Sequence, residues 1–98
     1  MYKATILPLA KKDIQEAALW YNSRSNGLGK RFTDEVREKV KLIKKNPYAT
    51  NVRYHKVRTA VLNFFPFIIH YSIDEANKNI VISAVFHTSR NPELWKNR

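Results

Sequence analysis

Arginine, lysine and histidine gather in the second half of this 98-residue chain. Arg53, His55, Lys56 and Arg58 lie close together, His70 and Tyr71 follow in an apolar run, and His87 and Arg90 stand near the end. Such a set suits one reaction that needs no metal. RNA carries its own nucleophile, the 2′-hydroxyl. An enzyme then supplies a base for that proton, an acid for the leaving oxygen and cations for the phosphate charge. Histidine titrates in the right range for acid and base, and arginine grips a phosphate through two parallel bonds. Each residue also has a plainer use. His87 at a strand end is equally well served by a backbone partner, His70 suits a buried sheet position, and Tyr71 suits the core. Arg58 and Arg90, at the ends of expected strands, are the least readily explained as solubilising charge. We take Arg58, His87 and Arg90 as the candidate activity residues. Lys44, Lys45, Arg53, His55 and Lys56 form the candidate basic surface for nucleic acid or another target.

Other chemistries lack their residues. Gly27 and Gly29 are the only glycines, so no phosphate-cradling loop exists. There is no cysteine, and no histidine–carboxylate cluster has metal-ligand spacing. No nucleophile elbow occurs, and no clear pair of carboxylates is available for glycoside hydrolysis. Neither a metal nor a cofactor is expected.

The elements that must position these residues follow from periodicity. Phe67, Ile69, Tyr71 and Ile73 alternate with Ile68, His70 and Ser72. Further on, Ile80, Ile82, Ala84 and Phe86 alternate with Val81, Ser83, Val85 and His87. Period two in β-branched and aromatic residues predicts two strands. The polar link 74–79 predicts a hairpin between them, with both faces partly apolar and hence a mid-sheet place. Upstream, Tyr2–Leu7 reads as a short strand stopped by Pro8. A helix over Lys11–Ser23 carries Ile14, Ala17, Ala18 and Tyr21 on one stripe. Leu19 and Trp20 fall off that stripe, which implies either a second buried side, the reading taken for Leu19, or an apolar patch open to a partner, left open for Trp20. Asn22–Gly29 is a turn, and a second helix runs over Leu28–Lys45 with Leu28, Phe32, Val36, Val40 and Ile43 inward. Arg31–Glu35 and Glu35–Lys39 are spaced for ion pairs on its outer face, and Asn46–Pro47 ends it. A strand over Val57–Leu62 precedes the hairpin. Pro92–Arg98 is either a last helical turn docked through Leu94 and Trp95 or a loose tail. Helices followed by strands give an α+β class. The order is β-α-α-β-β-β, an antiparallel sheet of about four strands with a helical hairpin packed on one face, forming one domain over 1–98.

Charge is the strongest global signal. Eighteen Lys and Arg oppose eight Asp and Glu, for a net +10, and no acid occurs between Glu38 and Asp74. Such a surface attracts nucleic acid or an acidic protein. Hydrophobic residues at 44% and aromatics at 12% favour a folded chain over a disordered one. No apolar run is long enough to cross a membrane. Without cysteines or a leader pattern, a cytoplasmic location is expected.

Taken together, KKDIQEAALWYN, LGKRF, KKNPY, the arginine of VRTAVL, FPFIIHYSID and IVISAVFHTSRNPELW resemble the RelE/ParE toxin superfamily, the toxins of type II toxin–antitoxin modules, also called plasmid stabilisation proteins. The resemblance covers nearly the whole chain. Its most specific part is the FP-x-x-I-x-Y hairpin followed by an apolar strand ending His-x-x-Arg. It implies a compact sheet with a helical hairpin and a cognate acidic antitoxin that wraps the toxin, with Trp20, Tyr21 and Trp95 as candidate antitoxin contacts. It implies one of two activities: RelE-like members cleave messenger RNA on the ribosome, and ParE-like members poison DNA gyrase. Arg58 matches the arginine common before the hairpin, and Lys56 a basic position used by nuclease members. His87 and Arg90 match the ending typical of the ParE branch. Ile68 stands where RelE-like nucleases often carry arginine. Trp95 falls near a functional tyrosine of some nucleases, and an indole cannot do acid–base work. The resemblance therefore leans to a gyrase-binding toxin. The alternatives are a ribosome-dependent endoribonuclease and a non-catalytic RNA-binding or inactive member.

Overall fold

The chain folds in the order β1 (Lys3–Ile6), α1 (Pro8–Arg24), α2 (Leu28–Lys45), β2 (Val52–Tyr54), β3 (Val57–Val61), β4 (Phe67–Asp74) and β5 (Asn79–His87), with a 3₁₀ turn at Pro92–Asn97. The computed structural model describes residues 1–97. Arg98, the end of the expected final turn and of the expected domain, lies outside the described residues.

Local chemistry accounts for the helix limits. Pro8 does stop β1, but it also opens α1, three residues before the expected Lys11. At the first helical position a missing N–H costs no hydrogen bond. Ala10 and Ala17 are buried, and Ile14, Ala18 and Tyr21 pack against the core. Leu19 and Trp20 are 70% and 54% exposed, so the off-stripe pair forms an open apolar patch and Leu19 is not the core residue expected of it. The turn between the helices passes through Gly27 at φ +86°, a left-handed conformation that glycine adopts without strain. Gly29 lets the two helices touch: a Cβ there would lie 2.3 Å from the Ala18 carbonyl oxygen. Its N–H donates instead to Asn22 Oδ1 at 2.7 Å. Helix α2 keeps the expected limits.

The sheet has five strands in the order β1-β5-β4-β3-β2. The α+β class and the central hairpin hold, while the expectation of about four antiparallel strands needs two corrections. First, β1 pairs parallel with β5, Ala4 opposite Ile80 and Ile6 opposite Ile82. Alternation reports which face a residue takes, not its neighbour or direction, so this pairing left no mark in the sequence. Second, β2 exists because the chain reverses at His55–Lys56, with His55 at φ +48°. Histidine tolerates that region better than most residues, and the turn carries no glycine or asparagine to announce it.

A third correction concerns β5. His70 faces Ala84 but Tyr71 faces Ile82, which leaves Ser83 as the extra residue of a bulge. The bulge inverts the later alternation. Ile80, Ile82 and Val85 share the helix-side core, whereas Ala84 and Phe86 join the opposite side with Ile68 and Trp95. The Val85 N–H in this irregular stretch donates to Asp13 Oδ2 of α1 at 3.0 Å.

Both faces of the sheet are therefore buried in part. On the helix side, Tyr21, Phe32, Phe65 and Phe67 interlock with ring centroids 4.7–6.1 Å apart. Phe32 and Phe65 are buried and contribute about 1.5–3 kcal/mol each, while Tyr21 and Phe67 are partly buried. On the other side the 3₁₀ turn docks Trp95 against Tyr54, His70 and Phe86. The final segment is thus a docked turn, although Leu94 remains 48% exposed. Glu35 makes neither ion pair expected of it. Its carboxylate reaches the β3–β4 turn and accepts the N–H groups of Asn63, Phe64 and Phe65 at 3.0, 2.9 and 3.1 Å. The ion pairs of α2 are Lys30–Asp34, Arg37–Asp34 and Lys41–Glu38, all exposed and individually weak. Among the described residues no helix is long and apolar enough to cross a membrane.

Candidate functional site

A cleft of about 560 Å³ opens between α1 and the carboxyl end of β5. Its apolar wall is Ala17, Trp20 and Tyr21 on one side and Phe67 and Val85 on the other; His87 and Arg90 stand at its mouth with Asp13 and Glu16. The β5 bulge builds this cleft, because it turns Val85 and then His87 toward α1 and away from Phe86. The His87 ring lies edge-on to Phe67, centroids 5.2 Å apart.

Local bonding decides what His87 presents. Its Nδ1 accepts the Ser89 backbone N–H at 3.0 Å, and Ser89 Oγ lies 2.8 Å from the same nitrogen. A nitrogen that accepts a backbone N–H carries no proton, so the neutral ring holds its proton on Nε2. His87 then offers a donor at its other nitrogen, not a base. Arg90 follows at the end of the turn, its N–H bonded to the His87 carbonyl at 3.0 Å. Its guanidinium lies 4.1 Å over the Phe86 ring and pairs with no carboxylate among the described residues. A cation held on a ring face this way is positioned at a gain of about 0.5–1 kcal/mol.

Arg58 is elsewhere. It faces Tyr71 across β3–β4, whereas His87 faces Phe67 at the far end of β4. Four residues of strand separate the two levels, roughly 13 Å along the sheet. The Arg58 guanidinium donates to the Thr50 carbonyl and lies 5.0 Å over the Tyr48 ring. Tyr71 is fully buried beside it, donating to the Pro47 carbonyl at 2.8 Å with Thr50 Oγ1 at 2.7 Å. Arg58 and Tyr71 together clasp the loop after α2. The structure thus brings His87 and Arg90 together and leaves Arg58 apart from them.

The remaining candidates disperse. Arg53 stacks on Trp95 at 5.5 Å on the side away from the helices. His55 and Lys56 form the β2–β3 turn, and Lys44 and Lys45 end α2. His70 is fully buried, its Nδ1 2.9 Å from Tyr54 Oη and its ring between Phe86 and Trp95. Trp20 is open in the cleft wall with Arg24 4.8 Å above it. Tyr21 is half-buried, and burial raises its hydroxyl pKa. Trp95, at 5% exposure, spends its surface inside the chain and offers little of it to a partner.

Two acidic features escaped the sequence reading. Asp13 sits in register with Ala17 and Tyr21 on α1, and a carboxylate inside an apolar stripe was the signal that could have found it. Glu75 has no such signal. It accepts Tyr2 O–H at 2.9 Å, the Tyr48 hydroxyl and the Lys78 ammonium, so it ties the first residues and the loop after α2 to the β4–β5 turn. Lys78 and the two tyrosine donors hold its pKa down to about 2, and the carboxylate pushes Tyr48 up to about 12. Among the described residues no three histidines or carboxylates are grouped to hold a metal ion. The cleft can seat an apolar or aromatic side chain beside Arg90.

A family model described as the ParE toxin of the type II toxin–antitoxin system parDE matches residues 5–92. No curated protein matches the chain. Among solved structures, the chromosomal ParDE toxin–antitoxin system of P. aeruginosa is similar at 18% identity and TM-score 0.79, over 91% of this chain and 98% of that one. The intact E. coli RelBE toxin–antitoxin complex is similar at 14% identity and TM-score 0.70, over 92% and 100%. The isolated E. coli RelE toxin gives 13% identity and TM-score 0.70, over 99% and 95%. At these identities the solved structures speak to the fold alone.

Proposed function

The chain belongs to the ParE toxin family of type II toxin–antitoxin systems, and from that premise we propose that it arrests growth by binding DNA gyrase and is held inactive by a cognate acidic antitoxin. The observation that carries binding over cleavage is the state of His87. Transesterification of RNA needs an unprotonated nitrogen near the 2′-hydroxyl, and the nitrogen without a proton is already bonded to Ser89. Arg58, which would stabilise phosphate charge, is engaged by Thr50 and Tyr48 at the other end of the sheet. What the cleft offers is recognition: exposed Trp20 and Arg90 beside half-buried Tyr21, the side-chain types that dominate protein interfaces. An antitoxin partner is supported by the P. aeruginosa and E. coli relatives, which were solved as toxin–antitoxin systems. Its acidic character is supported by the net charge of +10.

Supercoiling of relaxed plasmid by purified gyrase tests the reading. Added toxin inhibits it, and Arg90→Ala toxin inhibits it far less. Full supercoiling at a large excess of toxin contradicts the reading. New messenger-RNA ends at A-site codons, in primer extension on translating ribosomes, would place the chain with the RNA-cleaving toxins instead.

A further inference from the structure

We infer that the groove between residues 1–2 and the last two turns of α2 is the docking site for an acidic segment of the antitoxin, whose apolar side chain seats on Leu42. This rests on the reading of the chain as an antitoxin-controlled toxin. The groove encloses about 530 Å³; Met1 and Tyr2 form one wall, and Lys41, Leu42, Lys44 and Lys45 the other. Lysines at a helix carboxyl end are favoured by the helix dipole alone. That does not account for Leu42, 55% exposed on the polar side of α2 and set among them. The local charge is uncompensated. Glu38 also lines the groove, but its carboxylate is already held by Lys41 at 3.3 Å. Glu75, which binds the Tyr2 hydroxyl, is shared with Tyr48 and Lys78. Lys44 and Lys45 have no carboxylate partner among the described residues. An apolar side chain flanked by the unpaired ammonium groups of Lys44 and Lys45 fits a segment that carries carboxylates around one apolar anchor.

The groove is also remote from the cleft. Trp20 and Tyr21 end α1 beside Phe32 in α2, and Lys44 lies twelve residues further along α2. At the rise of a helix this is roughly 18 Å. Neutralisation is therefore separable from toxicity by substitution.

The test uses the full-length toxin and the purified protein encoded by the reading frame adjoining its gene. The variants are the triple Lys41→Glu, Lys44→Glu, Lys45→Glu, and separately Leu42→Asp; all change exposed or half-exposed positions, and circular dichroism checks their fold. Leu42→Asp is expected to arrest growth like wild type when expressed alone; the triple variant, which includes two candidate target-binding lysines, is read by Kd alone. Leu42→Asp should need about tenfold or more antitoxin to restore growth, and Kd should rise about tenfold or more in both variants, the order expected when screened ion pairs become repulsions. In the triple variant the salt dependence of Kd flattens. Variants neutralised and bound within about threefold of wild type overturn the inference, at the size of one weak surface pair. So does a folded Leu42→Asp that has lost toxicity, since the groove would then face the target. A wild-type chain that does not arrest growth contradicts the functional reading instead, and Kd alone then decides the docking site. An adjoining protein that binds neither toxin overturns both.

Discussion

Glu35 is the side chain whose removal gives the most quantitative reading of this fold. From α2 it accepts three consecutive backbone N–H groups, at 3.0, 2.9 and 3.1 Å, in the turn that joins β3 to β4. That turn carries Phe65 into the aromatic cluster with Tyr21 and Phe32, and leads into Phe67 of the cleft. A hydrogen bond to a charged group contributes about 1.5–3 kcal/mol. Two of the three donors are exposed, and water replaces the carboxylate there at little cost. The Phe65 N–H is part-buried and sets the magnitude. Glu35→Ala should then destabilise the protein by about 2 kcal/mol. Glu35→Gln should cost about 1 kcal/mol, because the amide keeps one acceptor oxygen without the charge. Urea unfolding followed by circular dichroism measures both, with an unchanged m-value showing that the unfolding transition is otherwise the same. Thermal midpoints should fall by roughly 10 °C for alanine, at 4–8 °C per kcal/mol for a domain of this length. A loss below about 0.5 kcal/mol for alanine, the level of an ordinary surface change, would refute the reasoning, as would glutamine and alanine behaving alike.

Three further outcomes follow from named contacts. Gly29→Ala drives a methyl into the Ala18 carbonyl and should cost about 1–3 kcal/mol in urea unfolding, far above the small gain alanine gives in an open helix. Glu75 has a folded pKa of about 2, below its ordinary 4.5, so its contribution is fully present above about pH 4.5 and is lost as pH falls toward 2. Over that window the unfolding midpoint of wild type should drop more than that of Glu75→Gln, and parallel curves would remove Glu75 as the tie. With Trp20→Phe the remaining tryptophan is Trp95, which should emit toward the blue and resist acrylamide; Trp95→Ala should cost about 3 kcal/mol or more, and ready quenching of Trp95 would place it outside the fold.

Particular residues show what could be read from the chain. Helix α2 was legible to the residue, since Phe32, Val36 and Ile43 keep one stripe and Asn46–Pro47 stops it. The central hairpin was legible because β4 alternates without interruption. The parallel docking of β1 was not, since pairing direction leaves no trace in periodicity. The bulge at Ser83 was hidden because Ala84, Val85 and Phe86 are all apolar, and either register buries something. That single shift decides the site: it sends Phe86 to Trp95 and His87 to α1. His87 and Arg90 were legible as a pair because one short turn holds both. The distance of Arg58 from them depends on strand register, and its bonds to Thr50 and Tyr48 depend on how the loop after α2 folds back. Asp13 was legible in principle, as a carboxylate in an apolar stripe, and its partner, the Val85 N–H, was not.

The growth-arrest dose response of His87→Gln tests most directly whether the cleft recognises a target or performs acid–base chemistry. Glutamine keeps a hydrogen-bonding side chain of similar reach but cannot exchange a proton near neutral pH. If His87 serves recognition, the variant arrests growth at an expression level within about threefold of wild type, the cost of one neutral contact. A loss of about a hundredfold or more, the usual cost of removing a general acid or base, would contradict the account.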